Sequence, residues 1–184
     1  RKYLVYNQLH QLRFEINRNG FVLEHTYNQF GTCCADIVYD KPILAQSDWV
    51  QYEKGFTVDE VYALLSNIDA KVYVEKRYQY DKKNRLIQEQ GASVDVFDPD
   101  APESSQLVKQ VRPTKQYDLD AFDNIIKICE LKNPQTDHWL YTYKFYDGRD
   151  NVERMVNPAG YVSEYEYNLQ DQRTQKKKYE NPLG

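Results

Sequence analysis

The stretch that decides the fold is Tyr146-Asp147-Gly148-Arg149-Asp150-Asn151-Val152-Glu153-Arg154-Met155-Val156-Asn157-Pro158-Ala159-Gly160-Tyr161-Val162-Ser163-Glu164-Tyr165-Glu166-Tyr167-Asn168. Shifted by 140 positions, it overlays residues 6–28 without a gap. Tyr6, Asn17, Gly20, Val22, Glu24, Tyr27 and Asn28 meet Tyr146, Asn157, Gly160, Val162, Glu164, Tyr167 and Asn168. Conservative matches fill the gaps, such as Leu12 with Val152 and Ile16 with Val156. Self-similarity of this kind marks a repeat architecture, in which each unit needs its neighbours to bury a face.

Turn starts fall at 7, 17 and 28 in one copy and at 147, 157 and 168 in the other. Spacings of 10 and 11 suit a strand of about six residues followed by a four-residue turn. The turn chemistry agrees. Asn or Asp at the first position bonds its own backbone two residues on. Pro158 and Pro182 pre-set φ at the second position. The fourth position is Gly20, Gly31, Gly160 or Gly184, and elsewhere His10, Asn84, Asp123, Asp150 or Asp171. All are residue types that accept φ > 0. A type I turn followed by a left-handed residue closes a hairpin with a one-residue bulge.

A punctuation mark accompanies these turns: Tyr-Asn at 6–7, 27–28 and 167–168, Tyr-Asp at 80–81 and 146–147, and Leu119-Asp120 with Leu for Tyr. Between turns the strands alternate. Phe21, Leu23, His25 and Tyr27 point one way, and Val22, Glu24 and Thr26 the other. Tyr161, Ser163, Tyr165 and Tyr167 likewise oppose Val162, Glu164 and Glu166. One face is aromatic-rich, and a single hairpin cannot bury it alone.

These residues resemble the Rhs or YD-repeat family, whose repeat reads Tyr-x-Tyr-Asp-x-x-Gly-Arg-Leu followed by an Asp-Pro-x-Gly turn. Tyr78-Gln79-Tyr80-Asp81-Lys82-Lys83-Asn84-Arg85-Leu86 and Asn157-Pro158-Ala159-Gly160-Tyr161 carry the resemblance best. The departures are Asn for Asp and the scarcity of Gly at the first turn. The resemblance implies a mainly β fold: antiparallel β-hairpin repeats stacked into a long curved sheet. It implies a structural wall segment of a hollow shell that encloses a toxic C-terminal polypeptide, as in toxin-complex B and C components and polymorphic Rhs toxins. The implied partners are the remainder of the shell and its cargo, and the implied location of the parent is secreted. The other reading is an extracellular adhesion module, as in teneurins, whose aromatic surface meets carbohydrate or a receptor. Self-cleavage in the family belongs to a motif following the repeats. Asn181-Pro182-Leu183-Gly184 has Asn where that motif needs Asp, so no catalytic residue is carried over.

Along the chain, 1–44, 72–91, 114–131 and 141–184 read as repeat within one fragment. Residues 45–71 are an insertion with one short helix over 58–67. It opens on the capping box Thr57-Val58-Asp59-Glu60, and Val61, Leu64, Leu65 and Ile68 form its stripe. Residues 92–113 read as an acidic, proline-punctuated loop insertion, and 132–140 as a short insertion. The chain opens in a strand pattern and closes on a turn, which suggests an excerpt whose open edges pair with missing flanks or a second copy.

Composition bounds the rest. Leu, Ile, Val and Phe make up 44 of 184 residues, above the ~20% below which disorder is expected. Tyr, at 17, outnumbers every aliphatic type. A formal charge of −4 gives no footprint for nucleic acid. No apolar run suffices for a membrane span.

Candidate chemistry is sparse, and no catalytic, cofactor-binding or metal residue is nominated. Cys33, Cys34 and Cys129, an odd number, make no disulfide framework. Cys33 and Cys34 point to opposite faces of one strand, and Cys129 is a buried strand residue. His10, His25 and His138 are isolated, with no His-x-x-x-His or Cys-x-x-Cys to support zinc. Asp95, Asp98 and Asp100 lack calcium-loop spacing. Lys176-Lys177-Lys178 reads as a solvated edge. No enzymatic activity is expected.

Overall fold

A computed structural model of the chain describes residues 2–44, 52, 54–97, 108–133 and 138–182. The fold is mainly β with one helix. The strands are β1 (Tyr3–Tyr6), β2 (Leu12–Ile16), β3 (Val22–Tyr27), β4 (Cys33–Tyr39), β5 (Val72–Tyr80), β6 (Leu86–Gln90) and β7 (Val94–Phe97). They continue with β8 (Val108–Val111), β9 (Thr114–Leu119), β10 (Ile125–Asn133), β11 (His138–Tyr146), β12 (Val152–Val156), β13 (Val162–Tyr167) and β14 (Arg173–Lys178). Helix α1 spans Val58–Asn67. Twelve strands form one antiparallel sheet in the order β1-β2-β3-β4-β5-β6-β9-β10-β11-β12-β13-β14, and β7 and β8 form a separate pair. Strand order follows chain order because every described connection within the sheet is a hairpin or carries an insertion.

The turns explain this regularity. At Asn7, Asn17, Asn28, Asp81, Asp120, Asp147, Asn157 and Asn168 the side-chain Oδ1 accepts from the backbone N–H groups two and four residues on. The fourth residue of each turn is left-handed: His10, Gly20, Gly31, Asn84, Asp123, Asp150, Gly160 and Asp171 have φ between 58° and 83°. Residues 17–20 and 157–160 thus share one backbone geometry, as their overlay in the sequence requires. The expected turn at 181–184 lies partly outside the described residues.

A second bulge follows five of the turns preceded by Tyr or Leu119. Register slips at Arg13, Cys34, Ile126, Glu153 and Thr174. It does not follow the turns at 17 and 157, where pairing is uninterrupted. The motif tyrosine has a matching task. Tyr27 Oη donates to Leu12 O at 2.6 Å, Tyr146 Oη to Ile125 O at 2.9 Å and Tyr167 Oη to Val152 O at 3.0 Å. Each accepting carbonyl belongs to the first residue of a strand, just before the bulge. There backbone pairing with the tyrosine's strand has stopped. The phenol replaces a ladder bond that the bulge removes.

The chain divides into two compact units, Arg1–Gln79 with Gln90–Arg112, and Tyr80–Glu89 with Pro113–Gly184. In the first unit, helix α1 closes a core of Val5, Phe14, Ile16, Val22, Ile43, Leu44, Val61 and Leu65. Thr57 caps the helix and Glu60 completes the capping box. The helix covers the Val22–Glu24 face, leaving the Phe21–Leu23–His25–Tyr27 face on the other side. Phe14, Ile16, Val22 and Val61 are fully buried, each stabilising by about 1.5–3 kcal/mol. Gly20 serves twice: its φ is +83°, and a Cβ there would stand 2.4 Å from Leu44 O.

The acidic insertion differs from its sequence reading. Val94–Phe97 and Val108–Val111 pair as antiparallel strands. The alternation of Val94 and Val96 with Asp95 and Phe97 outweighs the nearby Asp and Pro residues. Arg112 Nη1 also donates to Glu75 O of β5 at 3.1 Å. Residues 132–140 differ too, because β10 continues to Asn133 and β11 begins at His138.

Among its described residues the second unit has no comparable core. Thr114, Cys129 and Val162 are its buried residues among those described, while Tyr141, Tyr143, Phe145 and Tyr161 stay exposed.

Candidate functional site

Three side chains that are separate in sequence meet on the β3–β4 hairpin. The turn at 28–31 and the slip at Cys34 set the register, placing His25 opposite Asp36 and Tyr27 opposite Cys33. His25 Nδ1 lies 2.7 Å from Asp36 Oδ1, and Cys33 Sγ lies 3.4 Å from the same oxygen. The three donor atoms all fall within 4.8 Å of one another. Tyr78 of β5 donates to Asp36 Oδ2 at 3.1 Å. The buried Nε2 of His25 has no hydrogen-bond partner, and Glu15 Oε1 of β2 stands 3.8 Å away.

The electrostatics follow from this placement. Burial pushes the Cys33 thiol up to about 11, and the charge and hydrogen bond of Asp36 push the same way. Partial burial raises the Asp36 carboxyl, but bonds from His25, Tyr78 and Cys33 outweigh it and hold the group below its usual range. The result is a protonated thiol beside an ionised carboxylate and an imidazole. A thiol held that high is a poor nucleophile.

The helix side of the same hairpin carries a different cluster. Arg13 Nη2 pairs with buried Glu24 Oε1 at 2.6 Å, and its Nη1 donates to His25 O at 2.8 Å. Tyr62 Oη donates to Glu24 Oε1 at 2.7 Å and Tyr39 Oη to Glu24 Oε2 at 2.5 Å. Burial and then Glu24 push Tyr39 upward. Every oxygen of Glu24 is met, so this network anchors α1 rather than offering a reactive group.

In the second unit, successive turns are linked along one margin of the sheet. Arg85 Nη1 donates to Asp120 O at 2.9 Å and pairs with Asp123 at 2.8 Å. Asn124 Nδ2 then donates to Asp150 Oδ1, and Asn151 Nδ2 to Asp171 Oδ1, both at 2.8 Å. Lys127 lies over the exposed rings of Tyr141 and Tyr143 at 4.8 and 6.0 Å. Open clefts lie among the described residues. One of ≈ 540 Å³ lies between 6–9 and 56–59, and one of ≈ 330 Å³ is lined by Arg154, Val162, Glu164, Tyr179 and Asn181.

The remaining sequence candidates are dispersed. His10 is the left-handed residue of its turn, and His138 opens β11. Cys34 Sγ meets Thr26 Oγ1 at 3.3 Å while Cys33 meets Asp36, so the two cysteines do face opposite sides. Cys129 is buried. Asp95 sits in β7, and Asp98 and Asp100 lie outside the described residues. Lys176, Lys177 and Lys178 lie on β14, exposed throughout. No described helix is long and apolar enough to cross a membrane. Sequence reasoning missed the His25–Cys33–Asp36 meeting. Counting pairs outward from the turn at 28–31 would have brought it near, but only with the second bulge included.

No family model matches this chain, and no curated protein matches it. Among solved structures it is similar to a chain of the crystal structure of TcdB2-TccC3-Cdc42, with a TM-score of 0.39 and 13% identity over 94% of this chain and 10% of that one. It is likewise similar to a chain of the crystal structure of TcdB2-TccC3-TEV, with a TM-score of 0.34 and 14% identity over 94% of this chain and 11% of that one. The chain thus spans about a tenth of the length of the chains it matches.

Proposed function

We propose that this chain is a structural wall segment of a hollow YD-repeat shell enclosing the toxic C-terminal polypeptide of a secreted bacterial toxin. The observation that carries the reading is the uniform turn: eight Asx-headed bends among the described residues, each ending in a left-handed residue. They feed one sheet whose strand order is chain order. Such a sheet grows by adding hairpins, and enclosing volume needs nothing else from it. The YD-repeat resemblance of the sequence supplies the cargo and the secreted location. The segment performs no chemistry in this reading, and its partners are the rest of the shell and the enclosed polypeptide. Electron microscopy of the full-length parent tests it: a closed particle with internal density is expected, and an open rod would overturn it.

A second reading has its own observation. Tyr141, Tyr143 and Phe145, at alternate positions of β11, form an exposed aromatic row in the second unit, suited to an adhesion module that stacks on carbohydrate. Saturable glycan binding, lost on replacing Tyr141 and Tyr143 with Ala, would favour it.

A further inference from the structure

Wall duty leaves one cluster without a task. The geometry points to a divalent transition-metal site on the β3–β4 hairpin, with His25 Nδ1, Cys33 Sγ and Asp36 Oδ1 as ligands and Zn²⁺ as the class of ion it fits. The donor set mixes imidazole, thiolate and carboxylate, the three ligand types that Zn²⁺ takes in proteins. Zinc bonds of about 2.0 Å to N and O and about 2.3 Å to S hold tetrahedral ligands roughly 3.3–3.6 Å apart. The donors stand at 2.7 and 3.4 Å, with none beyond 4.8 Å. Side-chain rotations therefore suffice, and water takes the fourth position.

The surroundings match those of a metal-binding histidine. Ligation through Nδ1 requires the tautomer with its proton on Nε2. That buried atom has no hydrogen-bond partner and faces Glu15 Oε1 at 3.8 Å. A closer approach of about 1 Å would give that carboxylate the hydrogen bond that usually supports such a ligand. Tyr78 steadies the second oxygen of Asp36. A His–Asp pair by itself would account for two donors, but not for Cys33 Sγ at 3.4 Å from the same oxygen. Thiolate and carboxylate together neutralise the ion's charge.

Binding breaks the Cys33 S–H bond, forms a metal–sulfur bond and gives the proton to solvent. Because the thiol must lose its proton to bind, affinity climbs as pH rises toward neutrality. The titratable groups around the thiol are Asp36 and Cys34 on β4, His25 and Tyr27 on β3, Glu15 on β2 and Tyr78 on β5. The inference stands whether or not the shell reading does.

The test titrates the full 184-residue chain with Co²⁺ at pH 8, reading the near-ultraviolet thiolate-to-cobalt charge-transfer band. We expect one Co²⁺ per chain, displaced by Zn²⁺. The band should vanish in Cys33→Ser and persist in Cys34→Ser and Cys129→Ser. Glu15→Gln should weaken affinity about 10–100-fold. A folded wild-type chain without the band, or a band that survives Cys33→Ser, overturns the site. Should Cys33→Ser fail to fold, calorimetry of Zn²⁺ binding to the wild type in two buffers decides. Release of about one proton per ion supports ligation by the thiol, and none overturns it.

Discussion

The two units are built from the same turn and differ in what their sheets rest against. In Arg1–Gln79 with Gln90–Arg112, one face of the hairpins carries Val5, Phe14, Ile16 and Val22, and α1 seals it. In Tyr80–Glu89 with Pro113–Gly184, the same strand pattern leaves Tyr141, Tyr143 and Phe145 in solvent. There, ion pairs such as Lys115–Glu130 at 2.6 Å and Arg154–Glu164 at 3.0 Å take the place of a core. Such exposed pairs contribute little individually. The turns differ in kind as well. Asn7, Asn17 and Asn28 head those of the first unit, while Asp81, Asp120 and Asp147 head three in the second. A hairpin array of this kind therefore does not need a hydrophobic layer at every repeat. The hydrogen-bonded bends and cross-strand pairs propagate the sheet, and among the described residues the patch under α1 supplies the apolar burial.

Substitutions in the two units would break or sharpen this contrast. The largest effect belongs to the core. Phe14 is 0% exposed and meets Tyr62 edge-on at 5.0 Å, so Phe14→Ala should cost about 3–5 kcal/mol in urea unfolding. Phe145 is 51% exposed, and Phe145→Ala should stay within about 0.5 kcal/mol. Equal losses would show that the second unit buries more than its exposure indicates.

Next comes the ion pair under α1. Arg13→Met leaves Glu24 buried with only tyrosine donors, and should cost about 3 kcal/mol. The double change Arg13→Met with Glu24→Gln should recover part of that loss, which a double-mutant cycle would read. Additive losses would mean the pair is not coupled.

Smaller effects belong to features the two units share. Tyr27→Phe and Tyr167→Phe each remove a hydroxyl that holds a strand-opening carbonyl. Each should cost about 0.5–1.5 kcal/mol. A null result in both would remove the phenol's role in the motif.

The smallest concerns acid. Asp81 and Asp147 are held below the usual carboxylate range chiefly by the backbone N–H groups of Arg85 and Asn151. At Asp120 desolvation works the other way but is outweighed by bonds from Asn124 and Phe122. A carboxyl depressed on folding stabilises above its unfolded value of 3.8 and loses that contribution as pH falls through the lower folded value. Amide exchange at Arg85, Asn124 and Asn151 should therefore lose protection as pH falls below about 4, while Gln11, Phe21 and Thr32 after the Asn turns should not. Asp→Asn at 81, 120 and 147 should abolish the difference.

Much of this is legible in the sequence. Asx heads and residues tolerant of φ > 0 located the bends, and Thr57 with Glu60 located the helix start. Both signals are local, since they depend on a residue and its neighbours within four positions. The β7–β8 pair was hidden because Asp and Pro argue for a loop, whereas pairing is decided across the strand. The His25–Cys33–Asp36 cluster was hidden because no short spacing contains it.

The sequence by itself determined where the chain reverses, because backbone handedness and Asx hydrogen bonding are properties of each turn. It thereby determined that the protein is a run of neighbouring hairpins. The tertiary structure alone decided which face α1 covers, where the second bulges fall and which side chains those bulges bring together. Burial and register depend on residues far apart in the chain, and no local preference specifies them.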